Sequence, residues 1–219
     1  LLDEEKLHLL RPGVVPQSEP KRLEFTNRRA MILADVNSSR PAGAEAVLRS
    51  FTILHRQGRE AIFFLLHSGR HERMLRRRAE EMGLLSEVTF VVSGENRREM
   101  HVVQSADVFV AAAGQRELDM GSLLAMAAGV PVLAARNSTA DFLSDGMTAS
   151  IFPPGDAQEL TKLLVDALND PAWVQAQAKS ALQYLRVYHN LVRCISDLTN
   201  FYREACGFIQ SHQTVEAES

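Results

Sequence analysis

The stretch from Val108 to Val132 constrains the fold of this chain more than any other. An apolar run of strand length, residues 108–113, leads through a polar turn into a helix of small residues. Gly129 ends that helix and Pro131 prevents it from restarting, after which a second buried strand begins at Val132. These signals predict a strand, a loop, a helix and a second strand, which is the repeating unit of a parallel α/β sheet.

The start of that helix, at Gly121 and Ser122, follows the carboxyl end of a parallel strand. Free backbone N–H groups and the positive end of the helix dipole converge there, which suits an anion such as a pyrophosphate. The alternative is a buried helix whose alanines serve only to allow close packing on the sheet. The pattern alone favours this packing interpretation over an anion site.

The same alternation of strand and helix runs through most of the chain. The predicted strands are residues 30–35, 61–66, 88–92, 108–113, 132–134 and 149–152. The second of them, from Ala61 to Leu66, is apolar throughout, which is typical of a strand in a sheet covered on both faces. The chain therefore predicts a Rossmann-like, doubly wound parallel sheet with ligands at the carboxyl ends of the strands.

The composition excludes several classes of protein. A hydrophobic content of 46% with 23% charged residues is that of an ordinary globular protein, and the net charge of −3 gives no reason to expect nucleic acid as a partner. No run approaches the roughly 20 apolar residues of a transmembrane segment. Cys194 and Cys206 form no disulfide framework, so we expect a reducing, cytoplasmic location. Because the first residue is not Met, we also expect an upstream portion.

Four motifs follow one another at particular distances: Ala106 to Val110, Leu123 to Val132, Asp145 to Thr148 and Phe152 to Asp156. This series closely resembles the C-terminal, nucleotide-sugar-binding half of the family-four retaining glycosyltransferases of GT-B architecture, also called glycosyl transferase group 1. The resemblance implies a GT-B C-terminal domain at residues 28–205 with additional C-terminal helices. Residues 1–27 would be the remnant of an interdomain linker, and residues 206–219 a polar tail.

The resemblance also implies a function, which is to bind a nucleotide-sugar donor for hexosyl transfer. The sequence gives no reason to expect a cofactor. Negative charge builds on the pyrophosphate as the bond to the sugar breaks, and each charge-assisted hydrogen bond to it is worth roughly 1.5–3 kcal/mol. The family supplies an Arg and a Lys after the first strand, a Glu near the sugar, and a second Glu on the core helix for the ribose. The acceptor domain would be N-terminal and is missing here, so we expect this chain alone to be inactive.

None of those four charges is present at the matching positions, so no catalytic residue is assigned. The positions are occupied by Asn37, Ala42, Arg116 and Leu124. Arg40 in the first loop, and Glu117 and Asp119 before the core helix, would restore some charge if the alignment shifts by one or two residues. Leu124 has only apolar or small neighbours and therefore no substitute.

At the turn after the second strand, His67 replaces a small Gly of the family, while Gly69 is retained. An imidazole there either contacts phosphate or fills the cleft, and a packing role is favoured. With the turns and helix starts of the same edge, the donor-binding candidates are Asn37, Arg40, His67, Gly69, Ser93, Gly94, Glu117, Asp119, Gly121 and Ser122.

The remaining polar residues are assigned no chemistry. His101 and His189 are isolated from other metal-ligand side chains, so no metal site is predicted. Asp107 is interpreted as a turn residue before a strand, and Thr148 as a structural residue of its turn. The alternative to donor binding is a catalytically degenerate domain kept as a binding or scaffolding module, and the four lost charges support it.

Overall fold

The computed structural model describes residues 9–23, 29–36, 41–69, 71–93, 96–112, 119–136 and 140–217. In these ranges the chain forms one six-stranded sheet with helices on both faces. The strands are β1 (Ala30–Asp35), β2 (Ala61–His67), β3 (Val88–Val92), β4 (Val108–Ala111), β5 (Val132–Ala135) and β6 (Ser150–Phe152). The helices are α1 (Pro41–Arg56), α2 (Glu72–Glu81), α3 (Asn96–Ser105), α4 (Met120–Ala127), α5 (Ala157–Asn169), α6 (Pro171–Tyr188) and α7 (Leu191–Ala217).

The strands lie in the order β3-β2-β1-β4-β5-β6, and every neighbouring pair is parallel. At the centre, Ile32 of β1 lies opposite Val108 of β4. From β1 the chain continues to β2 and β3 on one side, and from β4 it continues to β5 and β6 on the other. The direction of winding therefore reverses between β1 and β4, which confirms the predicted doubly wound, Rossmann-like sheet.

Apolar side chains cover both faces of the sheet, as the continuous apolar strands predicted. On the face covered by α1, α2 and α5, the rings of Phe51 and Phe63 stack with their centroids 4.4 Å apart. On the other face, Phe109, Met126 and Leu185 belong to a second buried cluster with α4 and α6. The small residues of α4 thus serve close packing, in agreement with the packing interpretation of that helix.

Residues 9–23, which we call the strap, lie along the outside of α4 and α6. The Gln17 N–H donates to the Ala127 carbonyl over 2.8 Å, and the Lys21 N–H donates to the Gly129 carbonyl over 2.9 Å. Leu23 at the end of the strap is buried in the core cluster on the sheet face that α1, α2 and α5 cover. The described part of the predicted linker remnant is therefore packed against the domain by backbone hydrogen bonds.

Asp107 lies in the bend before β4, as predicted, but its side chain has a larger role than that of a turn residue. It is completely buried and pairs with Lys21 of the strap over 3.2 Å. Its Oδ2 atom also accepts the Met31 N–H over 2.8 Å, and Lys21 donates to the Ser105 and Ala106 carbonyls. This buried ion pair fastens the strap to the amino ends of β1 and β4.

The C-terminal helices that the resemblance implies are α5, α6 and α7. Asp156 caps α5 by accepting the N–H groups of Gln158 and Glu159, each over 3.0 Å. Thr148 has the predicted structural role, because its buried hydroxyl donates to the Phe142 carbonyl over 2.6 Å. Helix α7 continues to Ala217, into the segment predicted as a polar tail, since only a single glycine and no proline interrupts it. No helix in the described ranges combines the length and apolarity needed to cross a membrane.

Candidate functional site

Where the winding of a doubly wound sheet reverses, ligands usually bind in a crevice outside the carboxyl ends of the two strands concerned, which here are β1 and β4. Helices α1 and α4 both begin at this edge, directly after the loops that follow β1 and β4. Several predicted site residues belong to segments outside the described ranges. These are Asn37, Arg40, Gly94, Arg116 and Glu117.

Gly121 allows the first turn of α4 to lie directly on the strand ends. A Cβ atom at this position would be 2.9 Å from Asp35 Oδ2 and 3.0 Å from Phe109 Cζ. Contacts this short require the backbone or the neighbouring side chains to move. The glycine therefore serves close approach between α4 and the carboxyl ends of β1 and β4.

Asp119 caps α4 and accepts hydrogen bonds from both the backbone N–H and the hydroxyl group of Ser122. Its Oδ1 accepts the Ser122 N–H over 2.9 Å, and its Oδ2 accepts the Ser122 hydroxyl over 2.6 Å. Ser122 is itself buried. A ligand at the start of α4 would have to compete with Asp119 for these two donors.

Two carboxylates, those of Asp119 and Asp35, lie at the first turn of α4. Burial raises the pKa of Asp119 above its usual range, and the hydrogen bonds from Ser122 oppose that shift. Negative charge is favourable at a helix N-terminus, so these carboxylates offset the positive end of the α4 dipole. Asp35 was not predicted as a site residue, although its position at the carboxyl end of a central strand was visible in the sequence.

Replacing Asp119 separates its capping role from its charge. Asp119→Ala is expected to lower the free energy of unfolding by about 1 kcal/mol, because the Ser122 N–H loses its acceptor. Asp119→Asn keeps an acceptor and removes the buried charge, so we expect no loss at neutral pH. Urea denaturation of both variants and the wild type at about pH 4 and pH 7 measures this.

The pH dependence follows from the raised pKa of Asp119. The folded state holds the Asp119 proton more tightly than the unfolded state, so this group loses stability as the pH rises through its folded pKa. The stability of Asp119→Asn relative to wild type should therefore increase from acidic to neutral pH. If Asp119→Asn were as unstable as Asp119→Ala at both pH values, this account would be contradicted.

The second group of predicted residues lies at the ends of β2 and β3. His67 is buried, with 2% of its surface exposed, and its Nδ1 accepts the Gly69 N–H over 3.0 Å. The Ser93 N–H donates to the His67 carbonyl over 2.8 Å. Side chains two positions apart in a strand point to the same face of the sheet. The ring of His67 therefore lies on the same face as Phe63 and Leu65, which is the face covered by α1 and α2.

The structure thus divides the described candidates between two places along the carboxyl edge. Asp119, Gly121 and Ser122 lie on the α4 face, against the ends of β1 and β4, whereas His67 points to the opposite face. Two of the positions at which the sequence predicts a lost charge are also described: Ala42 is exposed in the first turn of α1, and Leu124 is half-buried against the second cluster. In the described ranges, no three His, Cys, Asp or Glu side chains converge so as to hold a metal ion.

Comparisons with known proteins agree with this architecture. Residues 28–170, more than half of the chain, match the family model described as glycosyl transferases group 1. A mannosyltransferase of Corynebacterium glutamicum is 26% identical over 158 residues, covering 69% of this chain and 41% of that protein. That protein is named GDP-mannose-dependent monoacylated alpha-(1-6)-phosphatidylinositol monomannoside mannosyltransferase.

Solved structures of GT-B glycosyltransferases share the fold. Sucrose-phosphate synthase of Thermosynechococcus elongatus superposes with a TM-score of 0.71 at 22% identity, covering 82% of this chain and 46% of that one. HepE of Anabaena, in complex with UDP and glucose, gives a TM-score of 0.70 at 16% identity, covering 80% of this chain and 48% of that one. The chain therefore spans less than half the length of each of these three proteins.

Proposed function

The chain belongs to the glycosyl transferases group 1, and from that membership we propose that it is the half of a glycosyltransferase that binds the nucleotide-sugar donor. The observation that carries the proposal is the reversal of winding between β1 and β4, at whose carboxyl ends α1 and α4 both begin. The Corynebacterium relative is named for its dependence on GDP-mannose, and the Anabaena structure holds UDP and glucose. These ligands support a nucleoside diphosphate as the group bound by this chain.

The distribution of charge favours a position of the proposed diphosphate nearer to α1 than to α4. The first turn of α1 carries no acidic residue, and its exposed Ala42 leaves room beside the helix start. The first turn of α4 is already neutralised by Asp119, with Asp35 close by. Since like charges repel, a diphosphate would be held more favourably at the amino end of α1.

The acceptor side of the reaction would belong to a preceding domain that packs on α7. One face of α7 carries an exposed apolar stripe, whose residues recur every three or four positions: Leu191, Ile195, Leu198 and Tyr202. An exposed apolar face of this kind is typical of a surface that another domain covers. The strap passes beside the start of this stripe, because the Leu191 N–H donates to the Val14 carbonyl over 3.1 Å.

Calorimetric titration of the chain with UDP, GDP, ADP and their sugar conjugates tests donor binding. We expect one of these series to give saturable heat, and Ala42→Lys to lower its dissociation constant about fivefold, because a cation at α1 would contact the diphosphate. Ala42→Gln has a similar length without the charge and is the matched control. The proposal predicts tighter binding with lysine and no change with glutamine.

An activity assay of the wild-type chain tests whether it turns over a nucleotide-sugar by itself. Without an acceptor domain, we expect no turnover of a nucleotide-sugar above that of a boiled control. Turnover by the isolated chain would overturn the assignment of this chain as one half of an enzyme. An equal effect of Ala42→Lys and Ala42→Gln would contradict the proposed position of the diphosphate.

A second candidate function is a degenerate transferase domain retained as a binding or scaffolding module. Leu124 favours it, because this apolar side chain stands where the family binds ribose with a carboxylate. The engagement of both Ser122 donors by Asp119 favours it as well. This candidate predicts no saturable heat with any nucleotide for the wild type or for Ala42→Lys.

A further inference from the structure

The imidazole of His67 is held in one tautomer by the turn that follows β2. The Gly69 N–H donates to Nδ1 over 3.0 Å, so Nδ1 carries a lone pair and the ring proton lies on Nε2. The Nε2 atom is buried and has no hydrogen-bond partner. His67 is therefore neutral in this structure, with one nitrogen committed to the backbone.

That single hydrogen bond lies at a junction of three elements. Gly69 has a φ of +80°, and its carbonyl accepts the N–H of Glu72, the first residue of α2, over 3.2 Å. The carbonyl of His67 accepts the Ser93 N–H at the end of β3 over 2.8 Å. The side chain and backbone of His67 thus join the ends of β2 and β3 to the start of α2.

The surroundings of the ring disfavour a positive charge. Burial is the largest cause and lowers the pKa of His67 below its usual 6.5. The charged groups acting on it are Glu72, which raises the pKa, and Arg76, which lowers it, and these two pair with each other over 2.7 Å. From β3 the neutral ring of Phe90 meets the imidazole edge-on, with centroids 6.2 Å apart.

Protonation of His67 would break the hydrogen bond directly. A second ring proton can be placed only on Nδ1, where it would point at the N–H of Gly69. Two donors would then face each other, and a buried cation would replace a neutral ring. The turn and the first residues of α2 would have to move apart to relieve this contact.

We propose that His67 is a positioning residue that holds Gly69, and through it the first residue of α2, in place only while its imidazole is neutral, so that this part of the carboxyl edge loosens in mild acid. The ordering of the turn is a property of the fold alone. Its effect on a nucleotide-sugar donor rests on the proposed function, in which this turn lines the same edge as the crevice.

Hydrogen–deuterium exchange of the full chain, followed by mass spectrometry of a peptide spanning residues 64–75, tests the proposal. Protection factors, corrected for intrinsic exchange, are compared between about pH 7.5 and pH 5. We expect wild-type protection to fall about fivefold, as for the loss of one neutral hydrogen bond. His67→Asn presents Oδ1 near the position of Nδ1 and should stay protected at both pH values, whereas His67→Leu should be unprotected at both.

His189 is also buried, but its Nδ1 lies 3.0 Å from the Pro12 carbonyl, an acceptor that a protonated ring can keep, so a peptide around the junction of α6 and α7 reports a buried charge without a lost hydrogen bond and serves as the reference. Flat wild-type protection in residues 64–75, or an equal fall in His67→Asn, would overturn the proposal. Should His67→Leu fail to fold, the contrast between wild type and His67→Asn decides the matter. Titration of UDP or GDP at both pH values separates the two ideas: absence of binding at either pH counts against donor binding only, and exchange still decides the role of His67.

Discussion

Replacing Gly129 with alanine is expected to lower the free energy of unfolding by about 3 kcal/mol. Gly129 follows α4 with a φ of +71°, which costs an L-residue roughly 1–2 kcal/mol. Its added Cβ would also lie 2.8 Å from Pro20 Cα and 2.9 Å from the Lys21 nitrogen, where the strap crosses. Such overpacking against backbone costs roughly 1–3 kcal/mol more.

Gly83→Ala provides the matched control for this substitution. Gly83 follows α2 with a nearly identical φ of +72°, but nothing lies within 4 Å of the position of its Cβ. We expect Gly83→Ala to cost only the conformational part, about 1 kcal/mol. Urea denaturation of both variants measures the difference, and equal losses would show that the strap does not press on α4 in solution.

Replacing Lys21 with methionine should be similarly severe, with a loss of about 3 kcal/mol or more. Methionine keeps most of the apolar volume of the side chain and removes the cation that pairs with Asp107. The Asp107 carboxylate is completely buried and would keep the Met31 N–H as a donor but lose its cation, and breaking a buried ion pair by removing one partner costs roughly 3–5 kcal/mol. The strap would also lose its hydrogen bonds to the Ser105 and Ala106 carbonyls.

Arg77→Met is the control for this prediction, because it also removes a cation from an ion pair. Arg77 pairs with Glu81 over 3.0 Å on α2, but its side chain is 80% exposed. Exposed pairs of this type contribute less than about 0.5 kcal/mol, so this variant should resemble the wild type. Losses of equal size for Lys21→Met and Arg77→Met in thermal or urea denaturation would mean that Asp107 is solvated and not buried.

Both predictions concern the position of α4, and through it the crevice. The strap holds the carboxyl end of α4 at Ala127 and Gly129, while Asp119 and the close approach at Gly121 hold its amino end. A helix fastened at both ends keeps its first turn in place against β1 and β4. We therefore expect loss of the strap contact to affect the candidate site as well as stability.

The strands were predicted because each one is a short apolar run between turn signals. β1 and β3 begin and end where the sequence predicted, and β2 extends one residue further to His67. Gly129 was recognised as the end of α4 because a left-handed residue after a helix is usually glycine, and its φ of +71° agrees. These features are local, since the residues that determine them are neighbours in the chain.

The candidate site was predicted less completely, because its contacts join distant parts of the chain. Asp35 lies next to Gly121 in the first turn of α4, although the two residues are 86 positions apart in the sequence. No local sequence pattern predicts such a contact. Asp119 was proposed as a possible substitute for a lost acid, whereas the structure has it capping α4 through Ser122. His67 was placed at the correct edge, but its hydrogen bond to Gly69 depends on the geometry of the turn.

The sequence by itself determined the succession of strands and helices and the family, since these are properties of residue type and spacing. Only the tertiary structure decided that Lys21 pairs with Asp107 and that two carboxylates lie at the start of α4. The physical reason is that a charge tolerates burial only with a partner at contact distance, and folding, not proximity in sequence, supplies that partner.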